Sequence, residues 1–392
     1  MKKSLNILLG AGFSRLADLP LGNDIKKRFD RDQREQLLRF SGGEWAWRDG
    51  KDQTTLHNGS LGADWLCYSY LLDEIVCEYN SSKGGFKDYE DFYQFIKDHS
   101  GNANWYGPIY SKVKNRMYKE QNIESPNEFY DPIFNTPDSY ILEEIVNHLI
   151  ADMLFISKSE QELMIAYKPF IDYIKMYEEV HVFTLNHDLL VEKLLKYSNL
   201  DFCNGFTEKG SVLQYNEQNI PTFGDEFDSS NIKIYKLHGS VDSFMFEHCN
   251  ENNGVLTRTD EYSYFKPIDY PSMHYLVRVD IQTGQVIQTF SPDTVVPRFI
   301  TGNGSGKKDL ISADFMYNSI YSRFSKQMLG GKELFVAGYS FGDEHVNDVF
   351  SRFTKESGLK VINLNPYNKF EYPAESVIEI ADFSDLVEAA KK

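Results

Sequence analysis

The opening stretch, residues 5–15 with the sequence LNILLGAGFSR, constrains this chain most: an apolar run turns through two glycines and a serine directly into polar, helix-compatible sequence. That order predicts a buried strand followed by a tight turn, Gly10-Ala11-Gly12-Phe13-Ser14, that opens a helix. Glycines let a ligand approach the backbone closely, and the free N–H groups of a first helical turn favour an anion, so the turn is a candidate phosphate cradle. The dinucleotide fingerprint Gly-x-Gly-x-x-Gly is incomplete, because Arg15 stands where its third glycine belongs. An ordinary dehydrogenase is not expected.

The same grammar returns in the last third. Residues 333–350, ELFVAGYSFGDEHVNDVF, pass from a short apolar strand through Gly338-Tyr339-Ser340-Phe341-Gly342 into a helix carrying Val346, Val349 and Phe350. Between the two, VHVFTL (180–185) leads into Asn186-His187-Asp188 and a helix face of Leu189, Leu190, Leu194 and Leu195, and IKIYKL (232–237) ends at His238-Gly239-Ser240. LKVINLNP (359–366) and SVIEI (376–380) read as further strands. Repeated strand–turn–helix units imply an α/β fold with a Rossmann-like parallel sheet, whose ligand groups gather at the carboxyl ends of the strands. The four polar strand ends would then share one rim, although they are scattered along most of the chain.

Helical periodicity dominates residues 61–179. Leu72, Ile75, Val76 and Tyr79 form one stripe, Tyr89, Phe92, Tyr93 and Ile96 another, and Val146, Leu149, Ile150 and Leu154 belong to a third. A last stripe through Leu163, Tyr167, Ile171 and Ile174 is expected to break at Pro169. The expected organisation is therefore a Rossmann-type domain of residues 1–60 and 180–392 with an inserted helical subdomain at 61–179. Inside the first part, a helix capped by Asn23 or Asp24 is expected to run as far as Leu37 and Leu38, and residues 41–60 read as loop. Alternation about Thr283-Gly284 predicts a hairpin outside the main sheet. The segment TGNGSGKK (301–308) fails as a phosphate-binding P-loop, since Thr301 occupies the first glycine position and Lys307 is followed by Lys308; it reads as a glycine loop before a helix at about 310–329.

A net charge of −17 supplies no excess of Lys and Arg for a broad nucleic-acid surface. The cysteines, Cys67, Cys77, Cys203 and Cys249, show no Cys-x-x-Cys pairing and read as buried reduced thiols. No apolar run reaches the roughly 20 residues of a membrane span, and the basic, apolar start lacks a cleavage site, so a cytoplasmic protein without membrane contact is expected.

Taken in order, GAGFS, TLNHD, LHGS and GYSF resemble the motifs of the sirtuin-like NAD-binding family, and especially its bacterial sirtuin-like NADase branch in phage defence. The resemblance implies NAD+ as substrate, with its phosphates and ribose held by Gly10, Ala11, Gly12, Phe13 and Ser14 and by Thr184 and Asp188. It implies that Gly338, Ser340, Phe341 and Asn365 receive the adenosine part, and that Asn186 and His238 are catalytic. It also implies an oligomer, release of nicotinamide and ADP-ribose during abortive infection, and a helicase-like ring ATPase of the HerA type as possible partner. Sirtuin deacylases carry a four-cysteine zinc module after the histidine; here Cys249 stands without partner spacing, and LADLPLG replaces the deacylase sequence after the first turn, so no zinc is expected.

The residue types suit that chemistry on their own terms. Cleaving a nicotinamide–ribose bond passes through an oxocarbenium-like state, which calls for a held pyrophosphate, an anchored ribose and a group that directs water. An Asn amide can both donate to and accept from water or ribose, and an imidazole, with an ordinary pKa of about 6.5, can accept a proton at neutral pH. The plain alternatives are that Asn186 caps the next helix and that His238 is a satisfied strand-end histidine. At the level of function, the alternatives are an NAD-dependent protein deacylase and a non-catalytic subunit that senses NAD or ADP-ribose.

Overall fold

The computed structural model describes residues 2–29, 37–39, 45–47, 62–99, 102–121, 143, 146–147, 149–151, 153–215, 217–252, 255–266, 277–289, 297–299, 305–352, 358–365, 370–372 and 374–391. Its centre is a six-stranded parallel sheet made of β1 (Lys2–Leu9), β2 (Tyr177–Thr184), β3 (Ile232–Lys236), β4 (Glu333–Ala337), β5 (Lys360–Leu364) and β6 (Ser376–Glu379). The order across the sheet is β6-β5-β4-β1-β2-β3. The chain therefore builds outward from β1 on one side, returns, and builds outward on the other, which is the doubly wound Rossmann order. The switch in direction falls between β1 and β4.

Both faces of β1 are covered, as its continuous apolar sequence requires. Leu5, Ile7 and Leu9 face a core shared with Val180, Val182, Phe335 and Ala337, while Leu8 faces the other core with Phe183, Leu334 and Val336. The alternation is the two-residue period of a strand. All four aliphatic side chains of β1 are fully buried, each stabilising the fold by roughly 1.5–3 kcal/mol.

The first face is closed by α1 (Glu160–Ile174), through Leu163, Tyr167, Phe170, Ile171 and Ile174. This helix starts at a capping box, in which Ser159 accepts from the Glu162 N–H and Glu162 reaches back to the Ser159 N–H. It runs through Pro169 without the expected break, because its buried stripe holds the helix on both sides of the missing N–H. Residues 160–174, counted with the helical block by their period, thus pack in the core of the main sheet. The second face is closed by α4 (Phe315–Gly330) and α5 (Glu344–Phe350), with α2 (Leu190–Tyr197) crossing from β2 on the α1 side.

The helices Gly62–Lys83, Tyr89–Asp98 and Ala103–Gln121 form a separate core around Leu72, Ile75, Tyr79, Phe92 and Ile96, joined by Val146, Leu149 and Ile150. Ile25 and Phe29 from the helix Gly22–Arg28 belong to that core too. This helix ends well before the expected position: Leu37–Arg39 instead pairs as an antiparallel ribbon with Trp45–Trp47, inside the stretch read as loop. Asp24 accepts from the Leu21 N–H, and it does so from the third helical position rather than as the cap.

After β3 the chain leaves the sheet in a long antiparallel pair, Gly239–Asn252 with Val255–Phe265, that the sequence reading did not foresee. Gly239 has φ of +83°, which lets the chain turn out of the parallel sheet directly after His238. The expected hairpin about Thr283-Gly284 is present as Val277–Val279 with Val286–Thr289, in its own small sheet. The helix after the glycine segment is two helices: α3 (Ser305–Ala313) begins inside that segment, and Asp314 caps α4 by accepting from the Met316 and Tyr317 N–H groups. Residues 301–304 lie outside the described residues, as does the side chain of Cys67. Cys203 is buried as expected, whereas Cys77 is exposed. Among the described residues no helix is long and apolar enough to cross a membrane.

Candidate functional site

The turns after β1 and β4 flank the switch point and pack backbone against backbone. The Gly10 N–H donates to the Ala337 carbonyl at 2.9 Å and the Gly12 N–H to the Gly338 carbonyl at 3.0 Å. A Cβ on Gly338, whose φ is +66°, would sit 2.0 Å from the Phe13 nitrogen, and one on Gly12 would sit 2.7 Å from the Gly338 Cα. The glycines read as a ligand cradle are thus first required by each other. After Gly10 comes a 3-10 helix, Ala11–Ala17, in place of an α-helix; the Tyr167 hydroxyl of α1 anchors it by donating to the Phe13 carbonyl at 2.7 Å. Ala11 and Gly12 stay exposed at the tip.

Under this turn the second motif is knitted to the first. Ser14 Oγ donates to Asp188 Oδ2 at 2.7 Å and accepts from Asn186 Nδ2 at 3.0 Å, and the same amide nitrogen donates to the Gly10 carbonyl at 3.0 Å. Thr184 Oγ1 accepts from the Asn186 N–H, which holds the strand end in shape. Asp188 Oδ1 accepts from the Leu190 N–H at the start of α2, so Asp188, and not Asn186, serves the next helix. The Lys236 ammonium of β3 donates to the Asp188 carbonyl and pairs with Glu192 at 3.2 Å.

Thr184 and Lys236 are partners across β2 and β3, so Asn186 and His238 each lie two residues beyond a matched pair of neighbouring strands. The Val241 N–H donates to the His187 carbonyl, and the His187 and His238 rings lie 6.3 Å apart, centre to centre. Neighbouring parallel strands run about 5 Å apart. The structure therefore brings Ser14, Thr184, Asn186, Asp188 and His238 to one rim.

His238 has a partner that the sequence reading missed. Its Nε2 lies 2.9 Å from Asp343 Oδ2, close though not aligned as a hydrogen bond, and Lys307 Nζ reaches that same oxygen at 2.5 Å. Asp343 Oδ1 meanwhile caps α5 by accepting from the His345 and Val346 N–H groups. Burial works to raise the Asp343 carboxyl, but its contacts with His238 and with the Lys307 ammonium hold it far below the usual carboxylate range. An Asp directly before a helix is a cap signal and was legible. Lys307 was not, since it stood in a stretch dismissed as loop.

The adenosine-side candidates separate. Gly338 is part of the loop contact, and Ser340 is exposed on the rim. Phe341 stacks on Phe370 with centroids 4.0 Å apart, and Phe13 packs against Tyr167, Phe170 and Phe383, so both rings are engaged in cores. Asn365 is buried and donates to Asn363 Oδ1 at 2.9 Å. Two cavities are found among the described residues: about 280 Å³ beside Lys308, His345 and Arg352, adjoining the Lys307–Asp343 pair, and about 420 Å³ against Glu333 and Lys360 at the opposite, amino-terminal edge of the sheet. Among the described residues no group of three or more His, Cys, Asp or Glu side chains could hold a metal ion.

Residues 180–369 match the family model described as a SIR2-like domain. The match begins inside β2 and leaves out β1 and its glycine turn, which lie at the centre of the same parallel sheet. Similar solved structures include one reporting the mechanism and regulation of Sir2 enzymes, at 11% identity over 100% of this chain and 91% of that chain with a TM-score of 0.35. Another is a complex of a Sir2 homologue with NAD, at 11% identity over 99% of this chain and 88% of that one, with a TM-score of 0.33. None of the curated proteins matches this chain.

His187 contributes to stability in a pH-dependent way. Burial, and then the charge His238 would carry beside it, push His187 from 6.5 down to about 3. Between those values the unfolded chain binds a proton there that the folded protein does not, so stability is whole above pH 6.5 and falls as the pH drops toward 3. At about 1.4 kcal/mol per unit, His187→Gln is expected to remove roughly 2 kcal/mol of the stability lost between about pH 7 and about pH 5. Denaturant unfolding at the two pH values checks this; equal losses in variant and parent would contradict it. His181, also held down first by burial, retains part of the effect.

Proposed function

We propose that this protein is an NAD+ glycohydrolase, which cleaves the nicotinamide–ribose bond with water to give nicotinamide and ADP-ribose. The observation that carries the reading is that Asn186 and His238 stand just beyond the ends of two neighbouring strands, on one rim of the residues that match a SIR2-like domain, beside the switch point where doubly wound sheets bind nucleotides. In the reaction the C1′–N bond breaks, its electron pair leaves with neutral nicotinamide, and a water oxygen bonds to C1′. His238 takes the proton from that water, while the Asn186 amide orients it or a ribose hydroxyl. The exposed turn at Ala11 and the Ser340 turn offer backbone N–H groups to the phosphates.

The proposal includes regulation. An unrestrained NADase would empty a cell of its cofactor, so activity is held until phage infection or assembly, as an oligomer or beside a helicase-like ring ATPase, and the helical block supplies the assembly surface. The deciding experiment is chromatography of products after incubation with NAD+, without any acyl-lysine peptide, alone and with the neighbouring gene product. Nicotinamide and ADP-ribose in equal amounts are expected. Release only when an acylated peptide is present would replace the reading with deacylation, and NAD binding without product in the assembled complex would replace it with sensing.

A further inference from the structure

The carboxylate beside His238 is fixed from several directions. Oδ2 of Asp343 meets His238 Nε2 at 2.9 Å and Lys307 Nζ at 2.5 Å, and Oδ1 receives the first N–H groups of α5 at 3.1 and 3.3 Å. The side chains of His238, Asp343 and Lys307 are 7%, 8% and 6% exposed, so water screens these charges little. The carboxylate is thus not free to swing away from the ring. A carboxylate this close to Nε2, though off the line of a hydrogen bond, favours through its charge the tautomer with the proton on that nitrogen, leaving Nδ1 with the lone pair. Alone it would also favour the imidazolium, which has no lone pair to act as a base; an ammonium on the same oxygen opposes that. Among the described residues, other titratable groups around this cluster are His187 from the turn after β2, held neutral, His345, next to Asp343 on α5, and the phenols of Tyr339 and Tyr321, which burial and the Asp343 charge push up.

We propose that Asp343 and Lys307 act together as positioning residues for His238, the carboxylate fixing the ring's orientation and tautomer and the lysine offsetting the carboxylate's charge at the ring. Neither needs to touch substrate. The inference rests on the hydrolase reading for its catalytic meaning, but its electrostatics can be measured without it. It also gives a use to the segment TGNGSGKK, which delivers Lys307 on the first turn of α3.

The test uses the full chain in three forms: parent, Asp343→Asn and Lys307→Met. Asparagine caps a helix as well as aspartate does, so the first variant keeps α5 in place. The pH profile of NAD+ turnover is measured for each, and the His238 ring is titrated by histidine-labelled NMR, its signal assigned by absence from His238→Ala. Lys307→Met is expected to move the acid limb and the ring titration up by roughly one unit, and Asp343→Asn to move both down by a similar amount. Asp343→Asn should also lower kcat by at least about tenfold with KM little changed. Ring titrations that coincide in all three proteins overturn the proposal whether or not NAD+ is consumed. Shifted titrations in a parent that consumes no NAD+ uphold the charge coupling and overturn only the hydrolase reading.

Discussion

His238→Ala is expected to lower NAD+ turnover by about 100- to 10,000-fold, the usual worth of a general base, while leaving the unfolding transition close to that of the parent. The fold should tolerate the change because the partner carboxylate keeps its other contacts: Asp343 still pairs with Lys307 and still caps α5. The unpaired charge that makes loss of one ion-pair partner costly does not arise. Asn186→Ala is expected to lose turnover to a comparable extent but with a measurable drop in stability, since its amide joins the Gly10 carbonyl to Ser14. The Gly10 carbonyl keeps the Phe13 N–H and Ser14 keeps Asp188, so the loss is that of two buried hydrogen bonds, about 0.5–1.5 kcal/mol each. Steady-state nicotinamide release and denaturant unfolding measure the two effects separately. Full turnover in His238→Ala would remove the residue from the mechanism.

Gly338→Ala is expected to destabilise the protein by roughly 3–5 kcal/mol, combining a left-handed backbone with steric overlap. The added Cβ would meet the Phe13 nitrogen at 2.0 Å and the Gly12 carbonyl carbon at 2.4 Å, and these are backbone atoms of a turn already tied to β4. They cannot move without breaking the contact that closes the switch point. Gly107→Ala provides the comparison: that residue lies exposed within the helix Ala103–Gln121 with nothing in the path of a Cβ, and the change is expected to be neutral or stabilising by up to about 1 kcal/mol. Chemical denaturation of the two variants beside the parent checks both. Equal stability of Gly338→Ala and parent would mean that the two turns do not touch as described.

The strand ends were legible because each announces itself locally. An apolar run followed by Gly10, by Asn186, by His238 or by Gly338 can be found without knowing what lies beside it, and the parallel sheet follows from the repetition. Where local signals compete, local reading failed. Pro169 did not break α1, because burial of Tyr167, Phe170 and Ile171 outweighs one absent N–H. Leu37 and Leu38, compatible with a helical stripe, went into a strand pair. Phe13 and Phe341, which the family resemblance places against the ligand, pack their rings against Phe170 and Phe370, a contact no local pattern announces.

The sequence by itself determined the alternation of apolar strands and polar turns, the helical block, and the residue types at each strand end, since these depend on neighbours within a few positions. Only the tertiary structure decided that Gly10, Gly12 and Gly338 answer to one another, that Ser14 links Asp188 to Asn186, and that His238 stands against Asp343 and Lys307. The reason is distance along the chain: Lys307 and Asp343 lie 69 and 105 positions after His238 by their numbering. No periodicity or turn rule reaches that far. A parallel sheet closes the gap, because each crossover returns the chain to the same edge.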